Sequence, residues 1–305
     1  MVGSVETNRQ MMFTACPGGG GSSALVLVAG LLSCLPGPSW ATQTLPAASE
    51  VTRRMVERAQ AVARAERGPQ YTYEKQSRLE RLDAAWRPVS SEQKTYRVTL
   101  TGGVPFNRLV KVQGRELTSE ELRQEEAREE RFRQRFISTD RKKLVARKEA
   151  LVTPELLDRY EFTVKERVVL SNRPTLVLTF KPKKGDRPSE TFEDKLLNRM
   201  AGTIWVDEAD ADTARVMANM VEPVSLGWLG WLGSLSQCEL SLERQRMPDG
   251  VWVNNKMALL IQCRKLATTL RFRTTEDSCG FTRVEATSAP SSRSESGDET
   301  RSLHP

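Results

Sequence analysis

The chain has 305 residues, of which 28% are charged and 38% hydrophobic, and its formal net charge is +7. The single histidine, His304, is the penultimate residue of the sequence, which excludes Ser-His-Asp, Cys-His and histidine-metal sites. Neither a Walker loop nor a GxGxxG turn after a strand is present. The composition therefore predicts a non-catalytic protein without a cofactor or metal.

The first 41 residues have the features of an export signal. The apolar run Ala24–Leu35 is followed by Ser39-Trp40-Ala41, a small-x-small cleavage site. The run is too short to span a bilayer, which takes about 20 residues. We expect an exported, periplasmic protein cleaved after Ala41. The alternative is a membrane-anchored lipoprotein attached through Cys34, because Leu31–Cys34 approaches a bacterial lipobox.

A short linker, 42–50, precedes the first element of the mature chain. Residues 51–67 place apolar side chains on one side of a helix and arginines on the other, and Gly68-Pro69 ends that helix. From here to residue 285 we expect a single domain. Beyond it, residues 286–305 are rich in serine, threonine and charge and contain no aromatic residue, which predicts a disordered tail.

Apolar and polar residues alternate with period two over most of the domain. This pattern is typical of antiparallel strands with one covered and one wet face. Long, arginine-studded strands favour a curved sheet over a two-sheet sandwich. The predicted fold class is α+β, a curved, unclosed antiparallel half-barrel with covering helices. The clearest strand segments are TYRVTL (95–100), EFTVKERVVL (161–170), TLVLTF (175–180), CELSLER (238–244), VWVNNKMALLIQC (251–263) and TLRFRTTED (269–277).

A charged helical insert, 117–159, interrupts the strands. It opens with a capping box, Thr118 with Glu121, and runs from an acidic first half to a basic second half. That order complements the helix dipole. The insert is either a solvated helical arm that lies over the sheet or a surface that docks a partner.

Two polar features leave alternatives open. The run DEADAD (207–212) resembles half of a calcium loop, but it lacks the loop glycine and the closing glutamate, so a polar turn is the better interpretation. Three cysteines remain after cleavage at Ala41. Cys238 and Cys263 fall on neighbouring predicted strands, where they form either a disulfide or two buried thiols.

Three stretches resemble the LolA/LolB-like lipoprotein-localisation superfamily of exported bacterial proteins, including its uncharacterised members. They are GTIWVDEADADTARVMANMVEP (202–223), RLVKVQGRELTSEELRQEEAR (108–128) and CELSLERQRMPDGVWVNNKMALLIQC (238–263). In element order the resemblance spans 51–285. It implies an unclosed antiparallel barrel draped over helices, an apolar cavity that holds acyl chains, and no catalytic residue.

The stretch SLGWLGWLGSLSQ (225–237) repeats Leu-Gly-Trp and fits neither strand alternation nor a helical stripe. On the implied fold it is either an adaptable lid over a lipid, part of the protein's own core, or a direct membrane contact. Glycine at every third position would let a lid flex. The candidate lid and cavity residues are Trp205, Leu226, Trp228, Leu229, Trp231 and Leu232.

These observations favour a periplasmic, non-catalytic protein that binds a lipid or a lipoprotein anchor in an apolar cavity. The alternative is an extracytoplasmic structural or interaction protein that docks through its charged helical arm. The expected partners are a lipid or an acylated lipoprotein. The basic chain also fits an anionic membrane surface. Nucleic acid is not expected, because an exported protein rarely meets it.

Overall fold

The computed structural model describes the chain in seven ranges between residues 44 and 284. Outside the described residues lie the predicted signal peptide 1–41, the predicted tail 286–305 and residues 139–152 of the charged insert. The described ranges are 44–64, 71–101, 104–138, 153–185, 189–226, 233–265 and 268–284.

Four helices and twelve strands make up the described chain. The helices are α1 (Ala48–Arg64), α2 (Ser119–Ser138), α3 (Pro154–Asp158) and α4 (Phe192–Leu197). The strands are β1 (Tyr71–Leu82), β2 (Pro88–Thr101), β3 (Val104–Val112), β4 (Arg115–Glu116), β5 (Tyr160–Leu170), β6 (Arg173–Pro182), β7 (Met200–Asp207), β8 (Thr213–Met220), β9 (Val224–Leu226), β10 (Gly233–Arg246), β11 (Trp252–Lys265) and β12 (Thr268–Arg283).

The described strands form one antiparallel sheet in the order β4-β3-β2-β1-β12-β11-β10-β8-β7-β6-β5, and β9 pairs with the start of β10. Within these strands the two end strands, β4 and β5, do not pair with each other, so the barrel is unclosed. This confirms the predicted fold class. The helix α1 begins at Ala48, inside the predicted linker 42–50, because the Ala47 carbonyl already accepts hydrogen bonds from the N–H groups of Glu50 and Val51.

Two clusters of buried apolar residues lie on one face of the sheet, which we call the inner face. There α1 inserts Val51 and Met55 against a first cluster of buried residues from β6 and β7. A second cluster joins it from β7 to β10. The strand alternation explains both clusters, since every second residue of each strand points to this face. The first cluster contains Leu176, Leu178, Ile204 and Val206, and the second contains Met200, Ala218, Val224, Leu235 and Cys238.

The opposite, outer face carries a row of polar and charged side chains that crosses several strands. Arg215 on β8 pairs in register with Glu243 on β10, and its guanidinium donates to that carboxylate. Lys256 on β11 lies opposite Glu243, and Asp277 on β12 lies opposite Lys256. Opposite charges facing each other across strands stabilise a sheet and keep this face wet. The charged residues that alternate with apolar ones in these strands therefore lie on the outer face.

The helix α2 covers one edge of the sheet. The buried Glu125 carboxylate accepts a hydrogen bond from the Leu109 N–H at 2.9 Å, and Arg128 donates to the Asn107 carbonyl. These are backbone groups of β3 that β2 does not pair. The predicted capping box is confirmed at the start of α2, where Thr118 and Glu121 bond each other reciprocally. The first half of the insert thus protects an edge strand, which would otherwise attract other chains.

Candidate functional site

The acidic run 207–212 is a polar turn whose carboxylates are occupied by arginines. Arg173 forms a two-pronged ion pair with Asp207, which is 1% exposed, and Arg246 donates to Asp210 at 2.6 Å. The Asp207 carboxylate also accepts the N–H groups of Ala209 and Asp210. Among the described residues, no group of three or more histidine, cysteine or acidic side chains is placed to hold a metal ion. The turn is held by the protein's own cations.

The inner face continues beyond α1 as a set of apolar side chains from β10, β11 and β12 that remain partly exposed. Opposite positions on neighbouring strands supply them, so they point to one face. Leu240, Leu259 and Ile261 also pack against the second cluster. We call this set the apolar strip: Leu240, Met257, Leu259, Ile261 and Phe272.

The hairpin of β9 and β10 lies at the rim of the apolar strip. Leu226 pairs with Gly233, and Val224 pairs with Leu235. Both Val224 and Leu235 belong to the second cluster, which the apolar strip adjoins. The two residues that flank 227–232, Leu226 and Gly233, are therefore placed at this rim by their backbone pairing. Four of the predicted lid residues, Trp228, Leu229, Trp231 and Leu232, lie in this connection, outside the described residues.

Trp205 is the one aromatic residue of the predicted site whose side chain is described. It lies on β7 opposite Val177 and Arg215, on the outer face. The Arg215 guanidinium lies 5.6 Å from the centre of the indole ring, a cation–π contact. The structure therefore separates Trp205 from the apolar strip by the thickness of the sheet, and its place as a cavity residue remains a prediction.

Cys238 and Cys263 are both free thiols in the structure. Cys238 lies opposite Ile261, and Cys263 lies opposite Leu235, so the two cysteines are diagonal neighbours on adjacent strands. Burial raises the pKa of both thiols, which makes them poor nucleophiles. The predicted disulfide remains a prediction.

A groove of about 460 Å³ lies between α1, α3 and the start of β5. Val56, Leu157 and Phe162 form its apolar floor, while Arg53 and Lys183 stand among the charged residues that line it. Its apolar residues belong to the packing of two helices on the sheet. The groove lies beside β5, an end strand of the sheet, whereas the apolar strip lies on β10, β11 and β12. None of the residues that line the groove belongs to the apolar strip.

Sequence reasoning placed the apolar strip residues on one side of their strands but did not single them out as a site. The signal was present in VWVNNKMALLIQC (251–263), where Met257, Leu259 and Ile261 occupy every second position. Alternation identifies an apolar face, but it does not say whether a helix covers that face. Only the position of α1 decides which part of it stays open.

No protein-family model matches the chain, and no curated protein matches it in sequence. Among solved structures, it is similar to a protein domain from Vibrio parahaemolyticus named for outer membrane lipoprotein sorting, with a TM-score of 0.32 and 10% identity, covering 76% of this chain and 93% of that one. It is also similar to a DUF1329 family protein from Desulfovibrio piger, with a TM-score of 0.29 and 9% identity, covering 78% of this chain and 95% of that one. A third similar structure is a LolA superfamily protein from Nitrosomonas europaea, with a TM-score of 0.27 and 9% identity, covering 79% of this chain and 95% of that one.

No helix in the described part of the chain is both long enough and apolar enough to cross a bilayer.

Proposed function

We propose that the protein is an extracytoplasmic, non-catalytic carrier that binds a lipid, or the acyl anchor of a lipoprotein, against the inner face of its half-barrel. The observation that carries this proposal is the apolar strip. Its side chains continue the core of the protein, yet they stay partly exposed where α1 does not reach. An apolar surface that adjoins a core and remains open is the usual mark of a binding site.

The chemistry of an acyl chain suits this surface. Each buried CH₂ contributes about 0.8 kcal/mol, so a long chain laid on the apolar strip would contribute on the order of 10 kcal/mol. Binding of an acyl chain by apolar contact alone needs no catalytic group and no cofactor. It also allows release once the chain finds an equally apolar environment.

A carrier needs a cover that can open, and we propose that the connection between β9 and β10 supplies it. Leu226 and Gly233 anchor this connection at the rim of the apolar strip. Two tryptophans there could each bury on the order of 150–250 Å² over a bound chain. The proposed lid consists of Leu226, Trp228, Leu229, Trp231 and Leu232.

The alternative, docking through the charged arm, receives less support. On α2, Arg123 pairs with Glu120 and Arg133 pairs with Glu130, each one helical turn apart. Charges that are satisfied within one helix gain little from a partner. The side of α2 that faces the protein already serves the edge of β3.

The proposal is tested by purifying the exported protein from its host, extracting it with organic solvent and analysing the extract by mass spectrometry. We expect a co-purifying acylated lipid or lipoprotein. In Leu259→Gln, the amount retained should fall about tenfold, since losing about 1.4 kcal/mol of apolar contact changes a binding constant by that factor. The matched control is Val169→Gln, because Val169 is 67% exposed on the edge strand β5. A clean extract from the unmodified protein would contradict the carrier function.

The lid has its own test, Trp228→Ala with Trp231→Ala. We expect lipid uptake to be lost while the melting temperature stays nearly unchanged, because lid residues leave the core intact. A large fall in melting temperature would instead assign both rings to the core of the protein.

A further inference from the structure

Two neighbouring turns bring a cluster of cations to one end of the sheet. The strand pairing sets Leu82, the last residue of β1, opposite Arg271 on β12, so the β1–β2 turn and the β11–β12 hairpin lie side by side. Asp83 is the one acidic residue among 81–87 and 264–271. We call this set the basic end: Arg81, Arg87, Arg264, Lys265 and Arg271.

Most cations of the basic end are free of ion pairs. Arg87 pairs with Asp83. In the described parts of the chain, Arg81, Arg264 and Lys265 are exposed and form no ion pair. The opposite end of the sheet differs, since the arginines around 207–212 are neutralised by the carboxylates of that turn. Three exposed cations without an ion pair among the described residues therefore lie close together at the basic end, whereas the arginines at the opposite end are paired.

A tryptophan stands in the middle of these cations in an unusual backbone conformation. Trp86 has a φ of +64°, the left-handed region where glycine is the ordinary residue. The turn is fixed around it, because the Asp83 carboxylate accepts hydrogen bonds from the N–H groups of Ala85 and Arg87. The Arg271 guanidinium lies 5.3 Å from the centre of the indole ring. Glycine would adopt this conformation with less strain, yet the turn carries tryptophan at this position. Residues in sparsely populated backbone conformations cluster at functional sites.

We propose that the basic end docks the protein on an anionic phospholipid surface. Tryptophan prefers the boundary between water and acyl chains, where its ring is apolar and its N–H stays wet. Arginine and lysine beside it are attracted to anionic headgroups. The role goes beyond carrying a ligand, because it requires nothing on the apolar strip. A carrier that fails to bind lipid on its inner face could still dock, and the reverse holds as well.

The test is flotation of the exported protein with vesicles of phosphatidylcholine alone and with vesicles that also contain phosphatidylglycerol. We expect binding only when phosphatidylglycerol is present, and weaker binding as salt is raised. An N-terminal lipid anchor would bind both kinds of vesicle to the same extent in every variant, so the quantity compared is the extra binding that phosphatidylglycerol adds. No extra binding in the presence of phosphatidylglycerol would overturn the proposal.

The first variant is the triple substitution Arg81→Gln, Arg264→Gln and Lys265→Gln. Each cation near an anionic surface accounts for roughly a fivefold change in affinity, so the three together should weaken binding about 100-fold. The matched control removes the same net charge from α2, with Arg123→Gln, Arg131→Gln and Arg133→Gln. Binding by the control should stay within about twofold of the unmodified protein, beyond a small long-range effect. Equal losses in both triple variants would reduce the effect to net charge and overturn the proposal.

The second variant, Trp86→Gly, separates docking from folding. We expect an equal or higher melting temperature, because glycine adopts this conformation without strain, together with clearly weaker binding to phosphatidylglycerol vesicles. A lower melting temperature with unchanged vesicle binding would assign Trp86 to the fold alone. Heparin or duplex DNA serves as the competing polyanion. Binding to either that matches the vesicles and survives Trp86→Gly would make the basic end a general anion site and overturn lipid docking.

Discussion

Gly233 occupies a position that no other residue type could fill without movement of the backbone. Its φ is +116°, and a Cβ added there would lie 2.1 Å from the Arg264 carbonyl oxygen. This close approach fastens the start of β10, and with it the anchor of the proposed lid, to the end of β11. The glycine is therefore required by the approach of two strands as well as by its own dihedral angle.

Gly233→Ala should destabilise the protein by about 2 kcal/mol or more, because strain at a positive φ adds to the clash with the Arg264 carbonyl. Gly280→Ala is the matched control. Gly280 has a φ of +67° with nothing within 4 Å of the added Cβ, so only the cost of about 1 kcal/mol for the left-handed conformation applies. Urea denaturation of both variants measures the difference. Equal losses would show that the Arg264 carbonyl gives way.

Other residue-scale features could be recognised only in part from the sequence. The run 207–212 was interpretable as a polar turn, and the structure confirms it. The partners of the turn were not predictable, since Arg58 comes from α1, Arg173 from β6 and Arg244 from β10. A chain with 46 lysines and arginines offers too many candidates. Ion-pair choice depends on distances that only the folded sheet sets.

The helix α2 shows, at the scale of a single element, how an edge strand is protected. Phe132 packs its ring 4.9 Å from the ring of Phe106, and Arg128 stacks 4.4 Å from the same ring. Together with the Glu125 bond to Leu109 these contacts hold a largely polar helix on the sheet. Few apolar residues are needed, because the helix satisfies backbone groups rather than covering a core.

Glu125→Ala should leave the buried Leu109 N–H without a partner, which costs about 1–3 kcal/mol. It should also expose the β3 edge to other chains. We expect a lower melting temperature and a concentration-dependent rise in dimers or larger species, measured by size-exclusion chromatography with light scattering. Glu126→Ala, an exposed neighbour on the same helix, should change neither property. A monomeric Glu125→Ala would show that α2 stays in place without this bond.

The sequence predicted the elements themselves more fully than their neighbours. The alternation in 161–170, 175–180, 238–244 and 251–263 corresponds to β5, β6, β10 and β11. Period two is a local property, so it can be read without knowing the fold. The docking of α2 on β3 depends on which backbone groups remain unpaired after the sheet has formed. No local pattern records that.

At the scale of the whole molecule, α1 packs on one part of the inner face, where it completes the first buried cluster. Val51 and Met55 are 3% and 2% exposed where they meet β6 and β7. Arg54 and Arg58 extend from the same helix to the Glu208 and Gly250 carbonyls, at the turns beyond β7 and β10. These contacts fix the direction of α1 across the sheet, and the apolar strip beyond it stays partly exposed.

Met55→Ala should lower the free energy of unfolding by about 2–5 kcal/mol, because a fully buried methionine would be replaced by a cavity. Met217→Ala is the control of the same residue type. Met217 is 49% exposed on β8, and a change there should stay within about 0.5 kcal/mol. Denaturant titration followed by near- and far-UV circular dichroism gives both values. Similar losses for the two variants would show that α1 contributes little to the core.

The sequence by itself determined that this protein is built of half-buried antiparallel strands and that charged side chains line one face of them. Each of these follows from composition or from spacing along the chain. The tertiary structure alone decided where α1 crosses the sheet, which apolar residues remain partly exposed, and that Trp86 lies against the Arg271 guanidinium. The physical reason is range: periodicity arises between neighbours in sequence, whereas burial and charge pairing arise between residues far apart in the chain, such as Arg58 and Asp212, that meet only after folding.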